Sequence, residues 1–283
     1  MANILKGVPV AEKLNATTLE KANILKEKGI EPCLAIVRMG EKPDDIFYEN
    51  SAVKRSSIVG VKAVRVTLPN TATQDELLVK INEINEDDTI HGVLILMPLP
   101  RHIDAGAVRK ALKPSKDVDG ITSGSLAGVF SGNGEGYAPC TAQSCMEILD
   151  YYNIPISGKK AVVIGRSLVI GKPVSMMLLG KNATVTICHS RTENLEETVK
   201  TGDIVIAAVG RAMMIDGKYL REGQTVVDVG MNVGPDGKMC GDVNFNEAEN
   251  IVSAITPALG GVGAVTTAVL MSHVVDAAEK SIN

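Results

Sequence analysis

Short apolar runs alternate with helical patterns in the first half of the chain. Three runs rich in β-branched residues predict strands: CLAIVRM (33–39), VKAVRVTL (61–68) and GVLILM (92–97). Helices are predicted from about Asp44 to Ile58, after Thr73 and near Asp104. Strands that alternate with helices in this way are typical of βαβ units and a parallel sheet. Thr73, followed three residues later by Glu76, has the spacing of a capping box and predicts the start of the second helix.

A second series of strands follows an irregular stretch. Residues 113–136 are rich in Gly, Ser, Asp and Pro, and a helix is predicted after them, from about Thr141 to Tyr152. The later strands are KAVVIG (160–165), ATVTICH (183–189), DIVIAAVG (203–210), TVVDVG (225–230) and NIVSAI (250–255). The two series predict two α/β domains, each with a sheet between layers of helices, and a boundary near residues 137–150.

Composition narrows the class of protein. The 283 residues suffice for two modest domains, and 45% hydrophobic with 22% charged residues is ordinary for a globular protein. A net charge of −4 and 3% aromatic residues argue against a nucleic-acid partner. The start of the chain lacks the apolar core of a signal peptide, and the uncharged stretch 250–275 is interrupted by glycines and threonines. We therefore expect a soluble, cytoplasmic protein with no membrane span.

The cysteines give no sign of a metal site. There are five, Cys33, Cys140, Cys145, Cys188 and Cys240, and they are scattered without a C-x-x-C pair. The four histidines do not cluster near them. The expectation is reduced, mostly structural thiols and no bound metal.

The strand AVVIG runs into a glycine-containing loop that could hold a dinucleotide. A glycine at a strand end allows a sharp turn that brings backbone N–H groups and the next helix start towards a pyrophosphate. The spacing here is G-x-S-x-x-x-G, from Gly165 through Ser167 to Gly171, which departs from G-x-G-x-x-G. On the glycines alone, an ordinary turn between strand and helix remains open.

The end of the following strand favours NADP over NAD. Folds that select NAD place an acidic residue there, which accepts hydrogen bonds from the ribose 2′-hydroxyl. This chain has His189, Ser190 and Arg191, with no acid before Glu193, and Arg166 can add a second guanidinium. These groups suit a 2′-phosphate. The alternative for Arg191 is a solvated surface charge.

At this point the chain resembles the methylenetetrahydrofolate dehydrogenase/methenyltetrahydrofolate cyclohydrolase family, over almost its whole length. The motifs that carry the resemblance are MPLPRHID (97–104), KPSKDVDG (113–120), YAPCTA (137–142), GKKAVVIGRSLVIGKPVSMMLL (158–179), VDVGMN (227–232), GDVNF (241–245) and ITPALGGVGAVTTAVL (255–270). So many motifs in one order are far more specific than a single glycine loop.

The resemblance implies two α/β domains with a cleft between them. It places tetrahydrofolate derivatives on a domain of residues 1–140, with a last helix at about 265–283 packing back on it. A Rossmann-like domain of residues 141–264 is expected to bind NADP. Members of the family are homodimers that pair through their cofactor domains, and the same is expected here.

The candidate site residues combine the loop reasoning with the resemblance. Those expected at NADP are Gly165, Arg166, Ser167, Gly171, His189, Ser190, Arg191 and Met231. Those expected at folate are Tyr48, Met97, Leu99, Asp119, Pro257, Gly260 and Gly261, with Tyr48 and Asp119 as the catalytic candidates. From its position alone, Asp119 is a carboxylate in a glycine-rich loop, where a residue that merely forms the turn is the alternative interpretation.

Two residues usual in the family are replaced in this chain. The family has a lysine four residues after the tyrosine and usually has QL before PLP, and we assign the lysine position to Ala52 and the glutamine position to Met97. Lys54 is a doubtful substitute, because six residues separate it from Tyr48 and place it about 120° around a helix. Met97 can equally be read as an apolar filler, and Lys54 as a surface charge.

These replacements bear on two reactions differently. Hydride transfer needs alignment of the donor carbon and the nicotinamide more than it needs a base, whereas hydrolysis of the methenyl product depends on proton transfer. The hypothesis is an NADP-dependent methylenetetrahydrofolate dehydrogenase whose cyclohydrolase activity is weak or absent, with a separate cyclohydrolase supplying that step.

Two alternatives to this hypothesis stay open. One is a fully bifunctional enzyme in which Lys54 or water replaces the lysine, and the other is a non-catalytic sensor that binds folate or NADP. Residues 142–144 and Leu259 also depart from the family pattern near the expected folate site, and they could reshape the pocket.

Overall fold

In the computed structural model, which describes residues 1–235 and 237–282, helices and strands alternate along most of the chain. The strands are β1 Asn3–Ile4, β2 Cys33–Met39, β3 Lys62–Leu68, β4 Gly92–Ile95, β5 Lys160–Ile164, β6 Thr184–Cys188, β7 Ile204–Ala207, β8 Thr225–Asp228, β9 Asn232–Val233, β10 Met239–Cys240 and β11 Ala254–Ile255. The helices are α1 Gly7–Glu27, α2 Pro43–Ile58, α3 Gln74–Glu86, α4 Ala105–Ala111, α5 Ser123–Ser131, α6 Cys140–Tyr151, α7 Gly171–Gly180, α8 Leu195–Lys200, α9 Phe245–Ala248 and α10 Thr266–Lys280.

The chain divides into two compact units, each built on its own parallel sheet. The six-stranded unit comprises residues 1–11 and 141–266, and the three-stranded unit comprises residues 12–140 and the chain from Thr267 onward. This division differs from the expected one in residues 1–11, which were assigned to the first domain. They belong to the six-stranded unit because β1 pairs with β11 through Asn3↔Ala254 and Ile4↔Ile255.

The sheet of the six-stranded unit has the order β1-β11-β8-β7-β5-β6, and all of its strand pairs are parallel. The central strands β7 and β8 are buried at every position, which explains their continuous apolar sequences. The register pairs Ile164 with both Cys188 and Ala207, so the neighbouring strands β5, β6 and β7 finish together at the carboxyl-terminal edge of the sheet. That edge carries the loops expected to hold a cofactor.

The sheet of the three-stranded unit has the order β3-β2-β4, again parallel. Strand β2 lies in the centre and is buried at all seven positions. Alternate residues from Cys33 to Met39 enter a core formed with α3 and α4, which contribute Leu77, Ile81 and Val108. The predicted capping box at the start of α3 is confirmed, because the Thr73 hydroxyl accepts from the Glu76 N–H and the Glu76 carboxylate accepts from the Thr73 N–H.

Three expectations about secondary structure need correction. The strand predicted over 250–255 is reduced to its last two residues, Ala254–Ile255. The irregular stretch 113–136 contains helix α5, which Thr122 caps through its hydroxyl. No element was predicted before residue 33, yet α1 occupies Gly7–Glu27. The last helix begins at Thr266, close to the expected start, and ends at Lys280, while Asn283 lies outside the described residues.

Two further features bear on function. Across residues 1–235 and 237–282, no helix combines the length and apolarity that crossing a membrane requires. The same residues contain no group of three or more His, Cys, Asp or Glu side chains arranged to hold a metal ion. All five cysteines are free thiols, and four of them are buried.

Candidate functional site

The loop between β5 and α7 has a shape that only glycine permits at two positions. Gly165 has φ +131°, and a Cβ there would collide with the Ala208 carbonyl oxygen. A Cβ at Gly171 would collide with the carbonyl oxygen of Gly165 itself. The loop therefore folds back on its own backbone and starts α7 directly above the end of β5. This close packing favours a dinucleotide loop over an ordinary turn.

Ser167 stabilises this loop through hydrogen bonds within the loop. Its hydroxyl oxygen accepts from the N–H groups of Ile170, at 3.1 Å, and Gly171, at 3.4 Å. The neighbouring Arg166 is exposed. Ser167 therefore orders the start of the helix, while Arg166 extends towards solvent.

The end of β6 lies directly beside the glycine loop. The Gly165 N–H donates to the Cys188 carbonyl at 2.9 Å, which joins the two strand ends. Just beyond it, the His189 ring accepts from the Arg191 backbone N–H at 3.2 Å. Ser190 and Arg191 are exposed, and neither Arg166 nor Arg191 forms an ion pair within the described part of the chain. The structure thus brings two guanidinium groups and a hydroxyl to one edge, a donor set suited to phosphate.

Two buried aspartates that the sequence interpretation missed hold the neighbouring loops. Asp242 is fully buried and accepts four hydrogen bonds, from the N–H groups of Val209 (2.6 Å), Gly210 (3.0 Å) and Arg211 (2.9 Å) and from the Asn232 amide (2.9 Å). It thereby clamps the loop after β7 to the strand β9. The motif GDVNF marked this position in the sequence, but nothing local showed which loop it would hold.

Asp228, at the end of β8, supports the same region. Its carboxylate accepts from the N–H groups of Gly230 (2.9 Å), Asp242 (3.0 Å) and Val243 (3.0 Å). Burial raises the pKa of Asp228 to about 6, although these backbone hydrogen bonds oppose the shift. These hydrogen bonds therefore hold the start of the loop that carries Met231.

Met231 and the glycine segment after β11 lie together in the six-stranded unit. Met231 is 60% exposed, and a Cβ on Gly263 would stand 3.2 Å from its terminal methyl group. Gly260 has φ +75°, and its carbonyl accepts from the Gly7 N–H at 2.7 Å. A Cβ on Gly261 would collide with the Pro257 carbonyl. The predicted residues of this segment thus form a tight turn that contacts Met231.

Asp119 and Tyr48 form the second group of predicted residues, within the three-stranded unit. Burial raises the pKa of the Asp119 carboxyl to about 6, a hydrogen bond from Cys140 lowers it, and the charge of Asp117 raises it. Tyr48 is 47% exposed in total, yet desolvation raises its pKa to about 12, and the negative charge of Asp119 adds to this shift. The phenol and the carboxylate are therefore close enough to interact electrostatically.

The turn around Asp119 is formed by a different aspartate. Asp117 is fully buried, and its carboxylate accepts from the N–H groups of Ile121 (3.0 Å) and Thr122 (2.7 Å). Gly120 has φ +69° and packs against the Pro139 backbone, which leaves no space for a side chain. The alternative in which Asp119 is the turn-forming residue is not needed, because Asp117 has that role.

The positions that the resemblance assigns to a lysine and a glutamine carry apolar side chains in this chain. Ala52 is only 2% exposed and lies on the inner face of α2 together with Glu49 and Ser56. Lys54 is exposed, and two residues correspond to about 200° around a helix, so it faces away from Ala52. Counted back from Pro98, the family's QL falls on Leu96 and Met97, so the glutamine position is the buried Leu96 and the assignment to Met97 is wrong. Met97 follows β4 and is 38% exposed, and the nearby Leu99 packs against the core of α3 and α4. Residue 52 therefore provides no ionisable group.

A cleft of about 1050 Å³ also opens in the three-stranded unit, at the end where the strands begin. Its lining includes Cys33, Lys62 and His91, which stand at or just before the first residues of β2, β3 and β4. None of the predicted site residues lines it. Parallel sheets place their ligands at the opposite end, so this cleft is not assigned to folate.

Comparison with known proteins finds a family model for each of two long parts of the chain. Residues 5–119 match the model of the tetrahydrofolate dehydrogenase/cyclohydrolase catalytic domain, which includes Tyr48 and Asp119. Residues 139–282 match the NAD(P)-binding domain of the same proteins, which includes the glycine loop. The chain belongs to the tetrahydrofolate dehydrogenase/cyclohydrolase family. It accordingly carries a folate-enzyme catalytic domain and an NAD(P)-binding domain.

Individual members of the tetrahydrofolate dehydrogenase/cyclohydrolase family match the full length. The bifunctional protein FolD of Carboxydothermus hydrogenoformans is 48% identical over 281 residues, which cover 99% of this chain and 98% of that protein. The bifunctional FolD structure from Campylobacter jejuni has a TM-score of 0.95, 38% identity and 99% coverage of both chains. The Trypanosoma brucei FolD, solved with NADP and an inhibitor, has a TM-score of 0.91 and 31% identity, covering 100% of this chain and 99% of its own.

Proposed function

We propose that this protein oxidises 5,10-methylenetetrahydrofolate to 5,10-methenyltetrahydrofolate with NADP⁺ as the hydride acceptor. The observation that carries the proposal is the desolvated Asp119 carboxylate beside Tyr48, within the catalytic-domain match. The pterin ring of folate presents N–H and amino donors in a row, and a carboxylate is the side chain best suited to accept from them. Asp119 would thus bind and orient the substrate.

The residues around the glycine loop fit an NADP molecule. Gly165 and Gly171 occupy positions that a Cβ would obstruct, and the loop opens towards the start of α7, where a pyrophosphate is stabilised. Arg166, Ser190 and Arg191 would hold the 2′-phosphate, which is why NADP is proposed over NAD. When bound, the cofactor accepts a hydride from the methylene carbon of folate.

Tyr48 acts as a neutral hydrogen-bond donor in this proposal. With a pKa of about 12, its phenol stays protonated across the physiological range. It therefore lines the folate site and orients the substrate rather than removing a proton. The domain roles follow, with folate on the unit that contains Tyr48 and NADP on the unit that contains Gly165.

Whether the protein also hydrolyses the methenyl product is a separate question, and two observations support different answers. The matched relatives are named bifunctional, which supports a bifunctional enzyme better than a dehydrogenase alone. In this chain, however, Ala52 is buried and cannot transfer protons, and Lys54 faces solvent on another side of α2. We propose a cyclohydrolase activity that is reduced relative to such relatives, with full bifunctionality as the second candidate.

The deciding experiment measures both reactions in one preparation. Methenyltetrahydrofolate loss is followed against buffer alone, and NADP⁺ reduction with methylenetetrahydrofolate shows that the enzyme is active. Accelerated loss in the native protein would establish bifunctionality. In that case Lys54→Ala identifies whether the exposed lysine contributes. NADPH formation without accelerated loss would establish a dehydrogenase that depends on a separate cyclohydrolase.

A paired substitution tests the reason for any reduction. Ala52→Lys with Leu96→Gln installs the ionisable group and its amide partner, and is expected to raise hydrolysis by about 10²-fold, within the range of general acid–base catalysis. The dehydrogenase rate serves as the internal control for folding. Absence of both reactions in the native protein would instead favour a binding protein without catalysis.

We also propose that the protein forms a homodimer through its six-stranded unit. Strand β6 is an edge of that sheet, and Ile187 on β6 and Leu179 on α7 are 37% and 54% exposed. An open edge beside apolar side chains is suited to a second copy of the chain. Light scattering on the native protein and on Ile187→Lys tests this, because the variant should be monomeric while an unchanged monomer mass in both would exclude the dimer.

A further inference from the structure

We propose that Arg38 and Glu49 are positioning residues for Tyr48, because their buried ion pair, rather than apolar packing, sets where helix α2 lies on the sheet. This inference rests on the proposed function, since it assigns the purpose of the pair to folate binding by Tyr48. The sequence interpretation singled out neither Arg38 nor Glu49.

Helix α2 presents little apolar surface to the rest of its unit. Its buried residues are Glu49, Ala52 and Ser56, and none of them has a large apolar side chain. The aliphatic residues Ile46 and Val53 are only partly buried. Because hydrophobic stabilisation scales with the apolar area removed from water, packing of this kind holds the helix weakly.

Polar contacts from two neighbouring strands hold α2 instead. Arg38 on β2 donates through Nε to Glu49 Oε2 at 3.0 Å. Arg65 on β3 donates through Nη2 to Asn50 Oδ1 at 2.9 Å, and its Nη1 atom lies 4.0 Å from Glu49 Oε2. Glu49 and Asn50 directly follow Tyr48, so a change in these contacts displaces the tyrosine.

The Arg38 guanidinium has further partners that fix its orientation. Its Nη1 donates to the Gly40 carbonyl, in the loop between β2 and α2, and its Nη2 donates to the Thr67 hydroxyl on β3 at 3.5 Å. The side chain of Arg38 is largely buried, and that of Glu49 is completely buried. A planar guanidinium held at three points offers Glu49 one position. The pair therefore defines the position of α2 along the sheet.

Stability does not account for this ion pair. Both charges are removed from water, and within residues 1–235 and 237–282 the Glu49 Oε1 atom has no hydrogen-bond partner. Replacing a buried ion pair by apolar residues of similar size is often neutral or stabilising, whereas removing one partner is strongly destabilising. The placement of Tyr48 gives the pair a role that an apolar contact would not fill.

The first test removes both charges together. Arg38→Met with Glu49→Leu should have a Tm equal to or above that of the native protein. The KM for methylenetetrahydrofolate should nevertheless rise about tenfold with little change in kcat, because α2 loses the contact that places Tyr48. A stable double variant with a native KM would overturn the proposal.

A milder variant keeps the proposal testable if the double variant fails to fold. Arg38→Lys retains the opposite charges but loses the fixed donors to the Gly40 carbonyl and to Thr67. Its KM should still rise, and a native KM in this variant would refute the role.

Single substitution separates stability from position. Glu49→Leu leaves Arg38 without its buried counter-ion, and the Tm should fall by about 10 °C. Adding Arg38→Met should restore the Tm but not the KM. Restoration of both together would show a structural role only and contradict the proposal.

The same substitutions at another ion pair are the matched control. Glu31 and Lys62 pair at 3.4 Å in the same unit, and each side chain is more than half exposed. Glu31→Leu with Lys62→Met removes the same charges at the opposite end of the strands, so the KM should stay native. A similar rise in KM would mean that charge alone affects folate binding.

The effect of the pair should pass through Tyr48. In a Tyr48→Ala background, the KM is already raised, and adding Arg38→Met with Glu49→Leu should raise it no further. Additive effects would show that the pair acts independently of the tyrosine, against the proposal.

A measurement on the free protein separates this inference from the proposed function. Carbon-13-labelled tyrosine is followed by NMR, and Tyr48→Phe assigns the Tyr48 signal among the five tyrosines. A displaced Tyr48 signal in the Arg38→Met, Glu49→Leu variant, with the other four unmoved, would support the positioning role even if the native protein failed to oxidise methylenetetrahydrofolate. An unmoved Tyr48 signal would refute the role even in an active enzyme.

Discussion

Asp242 and Asp119 are carboxylates at the two candidate sites, and their surroundings differ sharply. Asp242 in the six-stranded unit is completely buried and accepts four hydrogen bonds between 2.6 and 3.0 Å. For Asp119 in the three-stranded unit, burial raises the pKa of the carboxyl to about 6, and a hydrogen bond from Cys140 lowers the pKa only in part. A satisfied buried charge stabilises the loops that it joins, whereas a poorly satisfied one remains available to a ligand. The difference is the one expected between an aspartate that holds loops together and one that we propose to bind folate.

The largest expected effect is the loss of Asp242. Asp242→Ala leaves four part-buried donors without an acceptor, and we expect the free energy of unfolding to fall by about 4 kcal/mol, since an unsatisfied buried donor costs about 1–3 kcal/mol and solvent reaches these donors in part. Denaturant unfolding followed by circular dichroism measures this change.

Asp203 is the control for this effect. It accepts from the Lys160 N–H and pairs with Arg221 at 3.2 Å, but it is partly exposed. Asp203→Ala should therefore cost about 1 kcal/mol or less, as is usual for exposed pairs. Equal losses in the two variants would remove the distinction between buried and exposed acceptors.

Asp119→Asn should lower the activity of the protein and raise its stability. We expect kcat/KM for methylenetetrahydrofolate to fall by about 10²-fold, because a charged acceptor for the pterin ring is worth about 3 kcal/mol. At pH 8 the variant should be more stable than the native protein by about 1 kcal/mol, since it no longer holds a desolvated charge in a partly solvated site.

The pH dependence of that stability difference has a definite sign. Folding raises the pKa of Asp119 from 3.8 to about 6, so the native protein binds the proton more tightly than the unfolded chain does. Stability from this group is therefore present below about pH 4 and lost as the pH rises to about 6. The advantage of Asp119→Asn should appear over that window and vanish below it. A constant difference between pH 4 and pH 8 would contradict a raised pKa.

The smallest expected effect concerns the exposed guanidinium groups. Arg191→Ala should raise the KM for NADP⁺ about tenfold, because one charge-assisted contact to a 2′-phosphate is worth about 1.5 kcal/mol, and leave the KM for NAD⁺ unchanged. Arg166→Ala should act in the same direction. Steady-state kinetics with both cofactors measures the ratio.

Lys160→Ala is the matched control for charge. Lys160 is exposed at the first residue of β5, at the opposite edge of the sheet from the glycine loop. It changes the net charge equally, so its NADP⁺/NAD⁺ ratio should stay native. A similar shift in the ratio would mean that Arg191 acts through long-range charge rather than through contact.

Much of the fold could be predicted because its signals are local. Strand β2 occupies the predicted residues 33–39, because a run of only seven mostly apolar residues favours a strand buried on both faces over a helix. Helix α1 was missed because several of its buried positions are Ala11, Thr18 and Ala22, which give a weak hydrophobic pattern. Small side chains pack well in a core but contribute little to a hydrophobic pattern in the sequence.

Some features of the candidate sites could likewise be predicted from the sequence, and others could not. The glycine loop could be read from Gly165 and Gly171, because their requirement for glycine is set within the loop itself. The contact between Cys140 and His273 joins residues 133 positions apart, and no sequence pattern near either residue predicts it. Likewise, the sequence shows Asp117 and Asp119 side by side in one motif, and only the hydrogen bonds of the turn assign their roles.

The pairing of β1 with β11 has a consequence for synthesis on the ribosome. Asn3 pairs with Ala254, so the edge of the six-stranded sheet cannot close until nearly the whole chain has emerged. All three strands of the other sheet, residues 33–95, leave the ribosome in the interval. Because folding proceeds from the N-terminus as the chain is made, the inserted unit can assemble its sheet while the first strand waits unpaired. A nascent chain stalled before residue 254 would leave the backbone groups along one edge of β8 without the partner strand β11.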